Sequence, residues 1–382
     1  MKRMVPNAPH QRIVALPALP PELLEELQRQ DAADITRRLR IGFGRQLDEP
    51  VIVSATNTQS STWTVLPNGW RAWSLELTSQ DALGLRLGLE SVKLPAGARI
   101  LVSDPANPSA EATPLTQETL AGQDRIWTES VFNQTAVLEC QVPPEIDPSS
   151  ISFSVTSLSH LYRSPIYRPK SSGCEKEVAC FSAWTDEAAG VALIDFIDQG
   201  TEYICTGCLL NDTVRNSIID YFLTANHCIG NSTVASTLEA FWFFQAGSCH
   251  GTVPDVNSVP FTSGGATFLD GINYQQGTDF TLLRLHESPP DGVTYLGWST
   301  ALPTSSETLT CIQHPNGLDK RISFGHKAAA GPGFEDFTGV RWYDGVTEGG
   351  SSGSPLLNAQ HVVIGQLYGG NSGCNNLDGT DV

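Results

Sequence analysis

No stretch of this 382-residue chain is apolar for long enough to cross a bilayer as a helix, so no span of that kind is expected. Its latter part is short of positive charge. Residues 171–382 hold 7 Lys and Arg against 23 Asp and Glu, whereas residues 1–170 hold 16 against 18. A balance of 7 − 23 = −16 repels phosphates and excludes nucleic acid as a partner. It draws in cationic substrates over a range limited by salt, although solubility alone also accounts for it. Zinc spacing is lacking too: Cys-x-x-Cys occurs once, from Cys205 to Cys208, with no second copy and no His-x-x-x-His. No metal or other cofactor is therefore expected. The first 165 residues contain no nucleophile motif, metal cluster or glycine-rich loop, and no internal repeat is visible.

Cysteine is abundant in one half only. Eight of the nine cysteines lie between Cys174 and Cys374, a crowding that suits disulfides made in an oxidising compartment. Secretion is expected on that ground. Met1-Lys2-Arg3 has the basic start of a leader, but Pro17, Pro20 and Pro21 break the apolar stretch behind it. Export is expected to begin upstream, or from a leader already trimmed. Cys140 stands apart, sharing a strand face with Ala136, Leu138 and Val142, and is expected to be a buried free thiol.

Residues 1–50 read as a helical lead-in, with Pro20-Pro21 ahead of Glu22-Leu23-Leu24-Glu25-Glu26-Leu27. From Trp63 the period changes to two. Trp73, Leu75 and Leu77 alternate with other residues, as do Leu83, Leu85, Leu87 and Leu89. Residues 51–165 are expected to form a small antiparallel β-sandwich. Trp63, Trp70 and Trp73 belong to its core at this period, although a sugar-binding platform is an alternative. Residues 166–172 read as an exposed linker and processing site, and residues 173–382, with many Gly and Ser turns and short apolar strands, as a second all-β domain.

Three segments of that domain carry chemistry: Leu-Thr-Ala-Asn-His-Cys ending at Cys228, Gly-Thr-Asp-Phe-Thr-Leu-Leu around Asp279, and Gly-Gly-Ser-Ser-Gly-Ser-Pro ending at Pro355. A serine hydroxyl is a weak nucleophile at neutral pH and needs a base beside it. His227 is the candidate base for Ser352, and Asp279 the carboxylate that orients the imidazole. The separations, 279 − 227 = 52 and 352 − 279 = 73, leave the fold to bring the three together. The glycines around Ser352 suit a tight turn that aims two backbone N–H groups, those of Gly350 and Ser352, into one oxyanion hole.

Residues from about Cys174 onward resemble the trypsin-like S1 peptidases, and among them the bacterial lysyl endopeptidases. The resemblance is carried by Cys205-Thr206-Gly207, Tyr221–Cys228, Asp279–Leu283, His314-Pro315-Asn316, Lys320–Ser323, Gly345–Glu348, Gly350–Pro355 and Gly365-Gln366-Leu367. It implies two antiparallel β-barrels, preceded by a pro-region that packs on the protease domain. It also implies disulfides Cys174–Cys374, Cys180–Cys249 and Cys205–Cys228. Cys208 and Cys311 are then left over and are expected to pair. The fold normally adds a strand and a helix beyond the position of Val382, so the sequence is expected to be a fragment or to end unusually.

The resemblance implies specificity as well. Trypsin's pocket Asp lies six residues before the nucleophile, where this chain has Val346. Lysyl endopeptidases take the acid from a later loop, which here contains Asp378 and Asp381, and Asp381 is the better match. Asp381 is expected to recognise Lys or Arg before the cut bond. Leu367, Tyr368 and Gly369 are expected to pair with substrate backbone as an added strand, with Tyr368 replacing a His beside the cleft. Cleavage after Lys170, or after Arg168, would release an enzyme beginning near Ser171. The expected partners are protein or peptide substrates. The rival reading is a catalytically weak homologue whose front domain serves binding or adhesion.

Overall fold

The computed structural model describes all residues except 6–9, 34–37, 55–61, 108–110, 121, 122, 124, 166–172, 215 and 306. The processing point expected at Lys170, with Arg168 and Ser171, lies outside the described residues. The chain forms two compact units.

The first comprises residues 1–29, 41–164 and 199–202. Its alternating leucines produce the strands Arg71–Ser79 and Gly84–Lys93, in different sheets. Arg71–Ser79 lies between Arg12–Leu16 and Thr135–Val142. Ser152–Leu161 lies between Leu39–Val53 and Gly84–Lys93. Leu75, Leu77, Leu85, Leu87, Leu138 and Val155 are buried in one core, which makes the unit a sandwich. Trp73 is buried there edge-on to Phe153 and Trp63 packs against the same core, whereas Trp70 is half-buried with the Arg99 guanidinium over its ring at 4.9 Å and is not part of that core. Cys140 is a buried free thiol, its pKa pushed far up by desolvation.

Two details differ from expectation. The helix Pro21–Ala33 forms, but it is flanked by the strands Arg12–Leu16 and Leu39–Val53. Arg12–Leu16 is a strand because Val14 and Leu16, two apart, both reach the sandwich core. It also pairs parallel to Arg71–Ser79, so the sheet is not wholly antiparallel.

The second unit comprises residues 30–40, 165–198 and 203–382. It is all-β, with two antiparallel sheet systems and only short helices besides. In one, Tyr221–Ala225 pairs with Phe280–Leu285, which pairs with Ala266–Ile272. In the other, Arg321–Ala328 lies between Thr308–Gln313 and Gly339–Asp344, with Pro355–Leu357 and Val363–Gln366 beyond. Phe196, Phe222, Trp242 and Leu283 fill the first core, and Leu309, Cys311, Val340 and Trp342 line the second. Leu223, Ile312, Ile322, Leu357 and Val363 form a third cluster that joins the two sheet systems.

The three disulfides Cys174–Cys374, Cys180–Cys249 and Cys205–Cys228 form as expected. The fourth pairing does not: Cys208 and Cys311 are buried free thiols. Strand alternation explains the difference. Cys208 belongs to the cluster that contains Ile312, whereas Cys311, the next residue along that strand, points into the opposite core with Val340 and Trp342. Cys205–Cys228 closes a separation of 23 residues. Replacing both by alanine is expected to lower unfolding free energy by about 3 kcal/mol, measured by denaturant titration.

Candidate active site

The register of one strand pair builds the first part of the site. Ala225 lies opposite Phe280, so the residues just after the first strand and just before the second emerge at the same end. Asn226 N donates to Asp279 O at 2.7 Å and closes that end. Asp279 adopts the left-handed conformation, φ 57°, which non-glycine residues seldom occupy. Its carboxylate is fully buried and grips His227 twice: Oδ2 accepts from Nδ1 at 2.6 Å, and Oδ1 accepts from the His227 backbone N at 3.1 Å. A carboxylate only accepts, so Nδ1 carries the ring proton and Nε2 presents a lone pair. Gln366 Nε2 donates to Asp279 O at 2.9 Å, and Thr281 Oγ1, which receives the Asn226 amide at 2.9 Å, anchors Ile229 O at 2.8 Å.

Ser352 lies in the turn before Pro355–Leu357 and is buried. The carbonyls of Gly349, Gly350, Ser351 and Ser352 in this turn have protein donors. Asn316 N serves Gly349 at 2.6 Å, Thr206 Oγ1 serves Gly350 at 2.9 Å, Ser354 Oγ serves Ser351 at 2.5 Å, and Thr206 N serves Ser352 at 2.9 Å. The N–H groups of the buried residues Gly350 and Ser352, by contrast, have no protein acceptor among the described residues. Open donors on two buried residues of one turn are unusual in a folded chain. Gly350 holds φ 91°, and a Cβ there would approach His314 O to 3.0 Å, so glycine is required.

Ser352 Oγ donates to Tyr368 O at 3.4 Å, and no hydrogen bond to the His227 ring is present among the described residues. Contacts through other residues connect the two segments. The Tyr368 ring stands edge-on to His227 at 5.4 Å, and Thr206, which holds Ser352 O, follows Cys205, the disulfide partner of Cys228 next to His227.

Asp381 is fully buried, unlike the exposed Asp378. Its Oδ2 accepts from Trp342 Nε1 at 2.6 Å, from Thr347 Oγ1 at 2.5 Å and from Ser372 Oγ, while Oδ1 accepts from Ser372 N at 3.1 Å. All these donors are neutral, so they solvate the charge without cancelling it. Gly370 lies against Oδ1, where any Cβ would collide. Val346 is buried beside Thr347.

Of the expected edge at Leu367, Tyr368 and Gly369, Tyr368 O alone is left without a backbone donor among the described residues. Leu367 N and O are taken by Ser354 O and Gly353 N. Tyr368 N donates to Val382 O at 2.9 Å, and Gly369 O accepts from Val382 N at 2.8 Å. The segment through Thr380–Asp381 occupies the edge because Asn371 N and Thr380 O continue the same ladder. Tyr368 instead contributes its ring to a cluster with Tyr274, Phe334 and Phe337 at 5.1–5.7 Å.

Thr206, His314, Asn316, Trp342, Thr347 and Ser372 were not singled out from sequence. Most of them work across a long separation, such as the 144 residues between Thr206 and Gly350, and the quoted Cys205-Thr206-Gly207, His314-Pro315-Asn316 and Gly345–Glu348 segments hinted at four of them. Close groups of possible metal ligands (Cys180, Cys249, His250; Cys205, His227, Cys228; Cys174, Glu175, Cys374) each contain a disulfide, so they offer no thiolate. A cavity of about 710 Å³, lined by Leu223, Phe280, Leu356 and Ile364 among others, reaches Leu367 and Asp381 but neither His227 nor Ser352.

Lys320 is buried and donates to Ala188 O at 2.5 Å. Desolvation lowers its pKa from 10.5 to about 7. The unfolded chain therefore binds this proton between about pH 7 and 10.5 and the folded chain does not, so the residue's contribution to stability rises with pH across that window. Lys320→Met is expected to remove this rise, up to about 1.4 kcal/mol per pH unit, in denaturant titrations at pH 7, 8 and 9.

This chain is a peptide-bond hydrolase of the serine peptidase class. It belongs to the lysyl endopeptidase family: the profile described as "Lysyl endopeptidase, C-terminal domain" matches residues 169–382, and "Lysyl endopeptidase N-terminal domain" matches residues 15–162. The chain is 31% identical over 363 residues to a lysyl endopeptidase of Pseudomonas aeruginosa, covering 88% of this chain and 76% of that protein. It is 27% identical over 232 residues to secreted RxLR effector protein 73 of Plasmopara viticola, covering 57% and 56%. Solved structures similar to it include the active form of a protease from M. tuberculosis (TM-score 0.36, 15% identity, 58% of this chain and 86% of that one) and a serine endoprotease from Yersinia pestis (0.33, 15%, 48% and 55%).

Proposed function

We propose that the protein is a secreted serine endopeptidase that cuts after Lys or Arg through an acyl-enzyme, with His227, Asp279 and Ser352 as the triad. The observation that carries this reading is the doubly held His227–Asp279 pair, and the open N–H groups of the buried residues Gly350 and Ser352 add to it. On substrate binding the Ser352 hydroxyl turns from Tyr368 O toward Nε2. His227 takes its proton as Oγ attacks the carbonyl carbon, and the Gly350 and Ser352 N–H groups hold the oxyanion. The proton passes to the leaving amine. Water then repeats the cycle in reverse, releasing the acid and restoring Ser352.

Asp381 is the proposed partner of a cationic P1 side chain. Among the described residues Oδ1 has one hydrogen-bond donor, Ser372 N, and no Lys or Arg pairs with the buried carboxylate. Residues 1–170 are proposed as a pro-region that packs on the protease domain and is removed by cleavage after Lys170. Incubation with a mixed peptide library, read by mass spectrometry, tests the specificity. Cuts confined to Lys and Arg are expected, and preferred cutting after Phe would refute it.

A further inference from the structure

We propose that Asn316 and Glu348 form a latch that sets the Gly349–Gly350 peptide, and so aims the Gly350 N–H at the reacting carbonyl. Both are positioning residues, and the latch rests on the serine-peptidase reading. Gly349 O and Gly350 N–H belong to one peptide and, being trans, point in opposite directions. Asn316 N donates to Gly349 O at 2.6 Å, which turns the Gly350 N–H to the other side, where it has no protein acceptor among the described residues. Rotation of that peptide by half a turn would put an acceptor where the oxyanion has to sit.

Asn316 offers its N–H from the left-handed conformation, φ 53° and ψ 22°, which Asn tolerates better than most residues. Its side chain is anchored as well, because Nδ2 donates to Glu348 Oε2. Glu348 Oε1 accepts from Cys374 N at 3.1 Å, and Cys374 is bridged to Cys174. Glu348 also brackets Ser351, whose Oγ accepts from Glu348 N at 3.2 Å and whose N donates to Glu348 O at 3.0 Å. One side chain thus ties the Pro315–Gly317 turn, the Ser352 turn and a disulfide together.

A second carboxyl makes the latch sensitive to pH. Glu175, next to Cys174 and buried, has a carboxylate oxygen within 4.8 Å of both sulfurs of the Cys174–Cys374 bridge, whose Cys374 N is held by Glu348. Burial first, then Glu348, raises its pKa to about 8; Arg321 opposes the rise and Asp319 adds to it. Arg321 is itself shared with Asp319 at 2.5 Å and Glu177 at 3.7 Å, so it does not neutralise Glu175 outright. Below about pH 8 the protonated Glu175 is neutral toward Glu348. Above it the two carboxylates repel and push the anchor apart.

The test measures kcat and KM on a peptide that the wild type cleaves, between pH 6 and 10. Asn316→Ala is expected to lower kcat at least tenfold with KM changed less than about twofold. Asn316→Gly, which keeps the left-handed backbone, should recover part of the loss. Glu175→Gln should raise the ratio of kcat at pH 9 to kcat at pH 7 above that of the wild type. Unchanged kcat in Asn316→Ala, or a kcat in Asn316→Gly no higher than in Asn316→Ala, would overturn the aiming role. The same alkaline fall in Glu175→Gln would overturn the pH link. A wild type that neither cleaves nor reacts with a fluorophosphonate would defeat the serine-peptidase reading itself, and the latch with it.

Discussion

Replacing Ser352 by alanine is expected to lower kcat by about a million-fold while leaving KM within a few-fold of the wild type. The alcohol is the only group at the site proposed to form a covalent bond, and without it the open N–H pair and the binding cleft supply what rate is left. His227→Ala should fall about as far, and the double variant barely further, because base and nucleophile act as one unit. Asp279→Asn should lose about ten-thousand-fold, since an amide can hold Nδ1 as an acceptor and strand the proton on Nε2. Steady-state hydrolysis of a lysyl peptide measures all four. A Ser352→Ala enzyme with a tenth of the wild-type rate would move the nucleophile elsewhere. The same variant examined as the full-length chain should remain uncut near Lys170, if that cleavage is its own.

Asp381→Asn is expected to lower kcat/KM for a Lys substrate by about a thousand-fold. Losing one member of a desolvated charge pair typically costs about 2–5 kcal/mol, or ~30- to 5,000-fold. The amide is nearly the same size, so the pocket keeps its shape while the charge disappears. Part of the penalty will appear as stability, because an NH₂ placed at Oδ2 would face the Trp342, Thr347 and Ser372 donors. The discriminating comparison is Lys against norleucine at P1, which has much the same chain without the cation. The variant should lose nearly all of its preference between them. Equal losses on both substrates would make Asp381 a structural residue only.

Motif residues were legible in the sequence wherever chemistry is concentrated in a few adjacent positions. His227, Asp279 and Ser352 each sit at a strand end, in segments whose apolar runs and glycines mark strand and turn. The sandwich core was legible for the same reason, because Trp73, Leu75 and Leu77 repeat at the sheet period. What escaped notice depends on which distant segments meet. Thr206 serves Gly350 across 144 residues and Asp381 collects donors from Trp342 and Thr347, and no local pattern marks such contacts. The Cys208–Cys311 pairing failed because counting leftover thiols ignores which strand face each occupies. The substrate edge at Gly369 failed because the ladder to Val382 is a property of the folded loop.

Labelling with a fluorophosphonate, followed by peptide mapping of the modified residue, tests the central chemistry most directly. Modification is expected at Ser352 alone, in parallel with loss of peptide hydrolysis, and it should slow about as much as catalysis does in His227→Ala. Full hydrolytic activity in a preparation with Ser352 unmodified, or modification at another serine that abolishes activity, would contradict the assignment of Ser352 as the nucleophile.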